Sequence, residues 1–297
     1  MKAEIHILHK SDFYVIKDFR CMCTKCSLSK PEHLQQFSIC FARSGFYEQR
    51  VFKRAHELHI GRLIVSKPEI EYVVRHIDDH PDMVTSLNFT REFYERVKDH
   101  YKEEAGWFFS NPDLQSILVT AHADIEFIHQ HILKQMSEQS SLELDDLVLQ
   151  LVEKVMNTFG NKTKVDVLPE SLKRHHLTTV ERARDYLFQN FTKDISLQQL
   201  AEHCCVSLFH FSRIFKSIMN RSPHQYLKEI RLNNAQLLLQ STDLSVTEIA
   251  FLSGFNSLEH FVTSYKQRYV VVPLSIRKLR STSGSKQSLK KNNPWNH

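Results

Sequence analysis

The sequence predicts an α+β protein, a strand-rich first part followed by an all-helical one, and three observations predict it. Short stretches of β-branched and aromatic residues, broken by Gly45, Gly61 and Pro68, occupy the first hundred residues. From Asn111 onward, apolar residues recur at helical spacing. In the last third, "LAEHCCVSLFHFSRIFK" (200–216) is followed by the closely related "IAFLSGFNSLEHFVTSYK" (249–266). Strands followed by helices suggest a small sheet or barrel with a helical appendage, ahead of a separate helical domain.

The chain has 297 residues, enough for two domains with a core each. An apolar fraction of 41% and a charged fraction of 25% are ordinary for a folded soluble protein. No apolar run reaches the roughly 20 residues of a membrane span. The polar N-terminus lacks the apolar middle of a signal peptide, so a cytoplasmic protein without membrane partners is expected. The net charge of +5 is unevenly placed. Residues 177–280 hold 13 Lys/Arg against 8 Asp/Glu, whereas the first 176 hold 23 against 26. A basic module behind a slightly acidic one points to an anionic partner such as nucleic acid.

In order along the chain, "QFSICFARSG" (36–45), "HIGRLIVSKPEIEYVVRHI" (59–77) and "DMVTSLNF" (82–89) read as strands, within a mixed region of residues 10–110. "NPDLQSILVTAHADIEFIHQHILKQM" places Leu114, Ile117, Leu118, Ala121, Ile125, Ile128 and Ile132 on one helical stripe, so a helix is expected over 112–135. "LELDDLVLQLVEKVMNTF" reads as a further amphipathic helix with acids at its positive end. Residues 161–176 are polar, with a proline and charges, and read as a linker. Helices fill 177–280. The Ser/Lys/Asn-rich stretch 281–297 is expected to be disordered.

The two related stretches align residue by residue. Leu200, Ala201, Cys205 and Val206 match Ile249, Ala250, Gly254 and Phe255 at an offset of 49. After one inserted residue, Phe211, Phe215 and Lys216 match Phe261, Tyr265 and Lys266 at an offset of 50. Each copy reads as a short helix, a tight turn and a second helix. Phe211, Ile214, Phe215 and Ile218 form one apolar face, and Leu258, Phe261, Val262 and Tyr265 form the other copy's. This is the plan of a helix-turn-helix, whose second helix enters the DNA major groove. Tyr226, Leu227, Ile230, Ala235, Leu238 and Leu239 predict one long helix between the copies, with Ser241, Thr242 or Asp243 capping the next helix.

Over "ISLQQLAEHCCVSLFHFSRIFK", "SPHQYLKEIRLNNAQLLL" and "SVTEIAFLSGFNSLEHF", residues 180–280 resemble the DNA-binding domain of the AraC/XylS family of bacterial transcription regulators. The resemblance implies two helix-turn-helix units reading successive major-groove segments on one face of double-stranded DNA. It places Ser207, Phe209, Ser212, Arg213 and Lys216 on the first reading helix, and Ser257, Leu258, Glu259, Thr263 and Lys266 on the second. Arg213 would grip a guanine edge or a phosphate, and Phe209 a thymine methyl. The chain departs from the family at Cys205, where glycine is usual, and at Thr263, where arginine is. It departs again in "VVVPLSIR", which keeps Pro273 and Arg277 but carries Val270, Val272 and Ile276. The first unit is therefore expected to read DNA more strongly than the second.

The resemblance also implies a cupin-like barrel with helices over residues 1–160, sensing a small-molecule effector or forming a homodimer through the helix at 112–135, and control of RNA polymerase at promoters. "CMCTKC" places Cys21, Cys23 and Cys26 where thiolates can share zinc or another soft metal, with Cys40, His33 or His76 as a fourth ligand. Free thiols are the simpler alternative. His122, Glu126 and His129 share a helical face and read as a solvated polar side, His76 and His80 as part of a polar loop, and Cys204 and Cys205 as small packed residues. No Gly-rich phosphate loop, Gly-x-Ser-x-Gly elbow or His-Glu-x-x-His occurs. A cupin-type metal-dependent enzyme with a fused helical module is the alternative reading. Against it, His56 and His59 lie three apart in "HELH" and do not form the His-x-His such enzymes use.

Overall fold

The computed structural model describes residues 3–21, 28–52, 54–77, 81–136, 141–160 and 170–276. The chain divides into two compact units, one of Met1–Arg182 with Arg213–Asn220, the other of Ala183–Ser212 with Arg221 onward. The first unit holds the strands together with helices, and the second is helical, in line with the α+β expectation.

Among the described residues, the first unit holds ten strands in two antiparallel sheets. The larger has the order β1-β2-β9-β4-β7-β10: β1 (Ala3–Lys10), β2 (Tyr14–Cys21), β9 (Met83–Phe89), β4 (Phe37–Ser44), β7 (Arg62–Ser66) and β10 (Ser116–Thr120). The smaller has the order β3-β8-β5-β6: β3 (Glu32–Leu34), β8 (Ile70–His76), β5 (Tyr47–Val51) and β6 (Arg54–Leu58). Alternation sorts the larger sheet's side chains. Ala42 and Ile64 point toward Tyr47 and Leu58 of the smaller sheet and form one core with them. The opposite face, with Tyr14, Phe37, Phe41 and Phe89, is covered by helices α1 (Arg91–His100), α2 (Lys102–Phe109), α3 (Ala123–Gln135) and α4 (Ser141–Asn157). Phe89 stacks on Phe93 at 5.0 Å, Phe37 meets Tyr94 at 5.2 Å, and Phe41 stacks on the His129 ring at 4.1 Å. Such pairs add about 0.5–1.5 kcal/mol each beyond their area.

Three expectations need correction here. The helix expected over 112–135 begins only at Ala123, because Ser116–Thr120 is a strand. Ile117 pairs with Val65 and Leu118 with Ile64, so an edge of the larger sheet captures this β-branched segment. Helices α1 and α2 occupy 91–109, inside the mixed region 10–110, where only strands were expected, at 36–45, 59–77 and 82–89. Phe93, Val97, Tyr101, Ala105 and Phe108 lie three or four apart there and are buried. Glu126 and His129 do not lie on a solvated face; both are buried.

His56 sits buried on β6, where Nε2 lies 2.9 Å from the Ser116 hydroxyl on β10. Burial, and secondarily Arg54, lowers its pKa to about 4. The ordinary value is near 6.5, so below that pH the unfolded chain binds a proton that the folded chain rejects. This share of the stability is present above pH 6.5 and is lost as pH falls toward 4. Its size is on the order of 3 kcal/mol. Chemical denaturation of the chain and its His56→Gln variant between pH 4 and 7 should show a shallower pH dependence in the variant.

A long helix, α5 (Glu170–Asn190), includes residues 170–176, which were expected to be linker. Then come α6 (Leu197–His203), α7 (Leu208–Met219), α8 (Pro223–Ser241), α9 (Val246–Leu252) and α10 (Leu258–Tyr269). In the second unit, α8, α9 and α10 share one core of Leu232, Ala235, Leu239, Ile249, Ala250, Phe255, Phe261 and Tyr265. Polar ties fix the packing: Tyr269 donates its hydroxyl to Asn233 Oδ1 at 2.9 Å, and Asn234 donates to the Ser253 hydroxyl at 3.1 Å.

Candidate nucleic-acid interface

The sequence repeat is a repeat of backbone hydrogen bonds. Helices α6 and α9 open with the same capping box, Ser196 with Gln199 and Ser245 with Glu248, 49 residues apart. Ser245 caps α9, so Ser241, Thr242 and Asp243 do not have that role. At the turns, the Val206 amide donates to the Ala201 carbonyl at 3.1 Å, and the Phe255 amide to the Ala250 carbonyl at 3.0 Å. Such a bond, closing six residues, satisfies a carbonyl that the ending helix leaves free. Beyond the inserted residue the offset becomes 50. The Phe211 amide donates to the Ser207 carbonyl at 2.8 Å, and the Phe261 amide to the Ser257 carbonyl at 3.1 Å.

Both turns pass through the left-handed region. Gly254 does so at φ +83°, and Cys205 at φ +56°. Cys204 is buried, whereas Cys205 is exposed, so only the first packs as a small apolar residue. A side chain in this conformation costs about 1 kcal/mol relative to glycine. Cys205→Gly is therefore expected to raise the unfolding free energy by about 1 kcal/mol, and denaturant titration would read it.

The turns aim the second helices. Along α7, Phe211, Ile214, Phe215 and Ile218 are buried, while Phe209, Arg213 and Lys216 are exposed. Phe209 is 87% exposed, which is extreme for an aromatic side chain. Along α10, Phe261 and Tyr265 are buried, and Glu259, Thr263 and Lys266 are exposed. Each exposed triplet has the spacing i, i+4, i+7, so each lies on one helical face. Ser257 and Leu258 are exposed at the start of α10, where the Ser257 hydroxyl accepts from the His260 amide at 3.2 Å. Ser207 is exposed just before α7, and Ser212 is half-buried beside Arg213. Val262, expected on the apolar face, is partly buried against the shared core, and Leu258 is exposed instead. Arg277 lies outside the described residues.

One further feature lies beyond the residues that the sequence singled out. A shallow depression in the second unit is lined by His224, Leu227, Lys228, Arg231, Phe255 and His260, with no carboxylate among them. His224, Lys228 and Arg231 recur at i, i+4 and i+7 along α8, and His260 belongs to the first turn of α10. Four basic or titratable nitrogenous side chains thus meet beside a helix N-terminus, whose free amides attract anions. Arg231 also holds the preceding loop, donating to the carbonyls of Phe191 and Lys193 at 2.7 Å each. The spacing along α8 was the available signal.

Residues 200–279 match the family described as "Helix-turn-helix domain". This part of the chain is an AraC-type helix-turn-helix domain. ArgR of Pseudomonas aeruginosa, an HTH-type transcriptional regulator, is 37% identical over 91 residues, 31% of this chain and 28% of ArgR. YdeC of Bacillus subtilis, an uncharacterized HTH-type transcriptional regulator, is 26% identical over 147 residues, 49% of this chain and 50% of YdeC. The chain thus spans half or less of the length of these two relatives. A crystal structure of a transcriptional regulator from Chromobacterium violaceum, with an AraC-type DNA-binding domain, is 30% identical. It covers 35% of this chain and 93% of that one, at a TM-score of 0.33.

Of the cysteine cluster, only Cys21 lies among the described residues. Cys23 and Cys26 lie outside the described residues, as does His80. Cys21 is buried at the end of β2. Two of the expected fourth ligands have other neighbours: Cys40 Sγ is 3.2 Å from the Ser86 hydroxyl, and His76 Nδ1 is 2.6 Å from Asp82 Oδ2. Among the described residues, no group of three or more His, Cys, Asp or Glu could hold a metal ion. No helix among them is long and apolar enough to cross a membrane.

Proposed function

We propose that the chain is a sequence-specific DNA-binding transcription regulator that docks α7 and α10 in successive major grooves of duplex DNA. The observation that carries this reading is the pair of matched exposed triplets, Phe209/Arg213/Lys216 and Glu259/Thr263/Lys266, on the second helices of an AraC-type domain. Arg213 supplies a planar fork for a guanine edge, Phe209 an apolar surface for a thymine methyl, and Lys216 and Lys266 charge for phosphates. Ser207, Ser212, Ser257 and Leu258 border these contacts. The basic depression on α8 supplies further phosphate attraction through Lys228 and Arg231.

The two helices are unequal readers. Glu259 sets a carboxylate among phosphates, and Thr263 is short where Arg213 is long. The first helix therefore carries most of the base discrimination.

The first unit would supply the signal, through a cupin-like fold that binds a small-molecule effector and through homodimer formation, with RNA polymerase as the downstream partner in the cytoplasm. Helix α3, the helical part of the stretch 112–135, offers little apolar surface for this: its Ile125, Phe127, Ile128 and Ile132 are all buried. Selection of genomic DNA fragments on the full chain, with and without metabolite extracts, tests the proposal. A recurring sequence should be enriched; recovery of random fragments alone would refute sequence-specific reading.

A further inference from the structure

Strand β1 is the outermost strand of the larger sheet among the described residues, and it has β2 alone as a ladder partner. Its residues are almost all exposed, with Ile5 at 56% and Ile7 at 66%. Proteins ordinarily protect such an edge with charges, proline or a bulge, because its free amides and carbonyls invite another strand. Here the bulge lies between Ile7 and His9, beyond a regular stretch from Ala3 to Ile7. Within that stretch Glu4 is the only formally charged residue.

We propose that β1 is the seam of a homodimer, in which the β1 edges of two copies of this chain pair antiparallel and join their larger sheets. The sequence of the stretch is complementary to itself. With the twofold axis at Ile5, Ala3 faces the partner's Ile7, Ile5 faces the partner's Ile5, and Ile7 faces the partner's Ala3. One face of the seam is then wholly apolar. On the other face Glu4 meets the partner's His6 and His6 meets the partner's Glu4, so opposite polarities pair twice. Within one chain Glu4 Oε2 and His6 Nε2 are already 3.8 Å apart, which places both on that face. Five paired residues match an ordinary strand length. A closed twofold pairing uses up the β1 edge of each copy, so this edge cannot propagate further. A second copy is thus the occupant this edge fits.

The experiment uses the full chain in sedimentation and light-scattering measurements at tens of micromolar. The unaltered chain should be dimeric. Ile5→Asp sets two carboxylates opposite each other across the seam and should weaken the dimer by about tenfold or more. Ile5→Cys should cross-link to its own copy under mild oxidation, well beyond the unaltered chain with its native cysteines. Residues directly opposite in an antiparallel pair have Cα atoms roughly 4.5–5.5 Å apart, within disulfide reach. Lys10→Cys, beyond the bulge, should add no such cross-link. A monomeric chain, a dimer indifferent to Ile5→Asp, or no added cross-link at Cys in place of Ile5 would each overturn the proposal.

Discussion

Gly254→Ala is expected to destabilise the second unit strongly. A β-carbon at this position would lie 2.6 Å from the Phe191 carbonyl oxygen, 2.9 Å from Thr192 Cα and 2.9 Å from Arg231 Nε. Two of these are backbone atoms and cannot swing aside. The third belongs to the guanidinium that holds the same loop through Phe191 and Lys193. The φ of +83° adds strain for any side chain. Together these effects should cost about 2–4 kcal/mol, a large part of an ordinary domain's stability. Denaturant unfolding followed by far-ultraviolet circular dichroism would measure it. A midpoint equal to that of the unaltered chain would show that the turn has more room than the geometry gives. The contrast with Cys205 is informative. The same left-handed turn there tolerates a side chain because Cys205 is exposed.

Arg213→Ala is expected to weaken specific DNA binding by about 1–3 kcal/mol, roughly 5- to 150-fold, and to relax discrimination at the base it grips. Its side chain is exposed on α7, between Phe209 and Lys216 on the same face, so its removal leaves the buried face of Phe211, Ile214 and Phe215 intact. Fold stability should therefore be unchanged within about 0.5 kcal/mol. Lys216→Ala should instead weaken binding to all sequences alike and reduce the salt slope by about one unit. Removing the carboxylate with Glu259→Gln should strengthen binding without changing the preferred sequence. Titration of labelled duplexes at several salt concentrations separates the three outcomes. Equal affinities for Arg213→Ala and the unaltered chain would remove Arg213 from the reading surface.

The helix-turn-helix units were legible because everything that builds them is local. A capping serine, an alanine at the helix crossing, a left-handed turn and an apolar face every three or four residues all lie within about 25 positions, and the chain writes them twice. Strand β10 was hidden because Ile117, Leu118 and Ala121 also satisfy a helical period, and its pairing with β7 spans some 50 residues of chain. Helices α1 and α2 were legible in principle, since Phe93, Val97, Tyr101 and Ala105 keep strict helical spacing, but they were merged with the strands around them. Burial of His129 depends on the ring of Phe41, far away in sequence, which no local pattern announces. The basic row on α8 was overlooked for a different reason. His224, Lys228 and Arg231 are interspersed with the apolar residues of α8, and only the placement of His260 makes them a cluster.

The central claim is that two helix-turn-helix units grip one duplex. Hydroxyl-radical footprinting of the full chain on a selected fragment tests it most directly. The expected pattern is two protected patches on one face of the DNA, about one helical turn or 10 base pairs apart. Arg213→Ala should erase one patch before the other. A single patch, or a footprint in which Arg213→Ala and the unaltered chain cannot be told apart, would contradict the account.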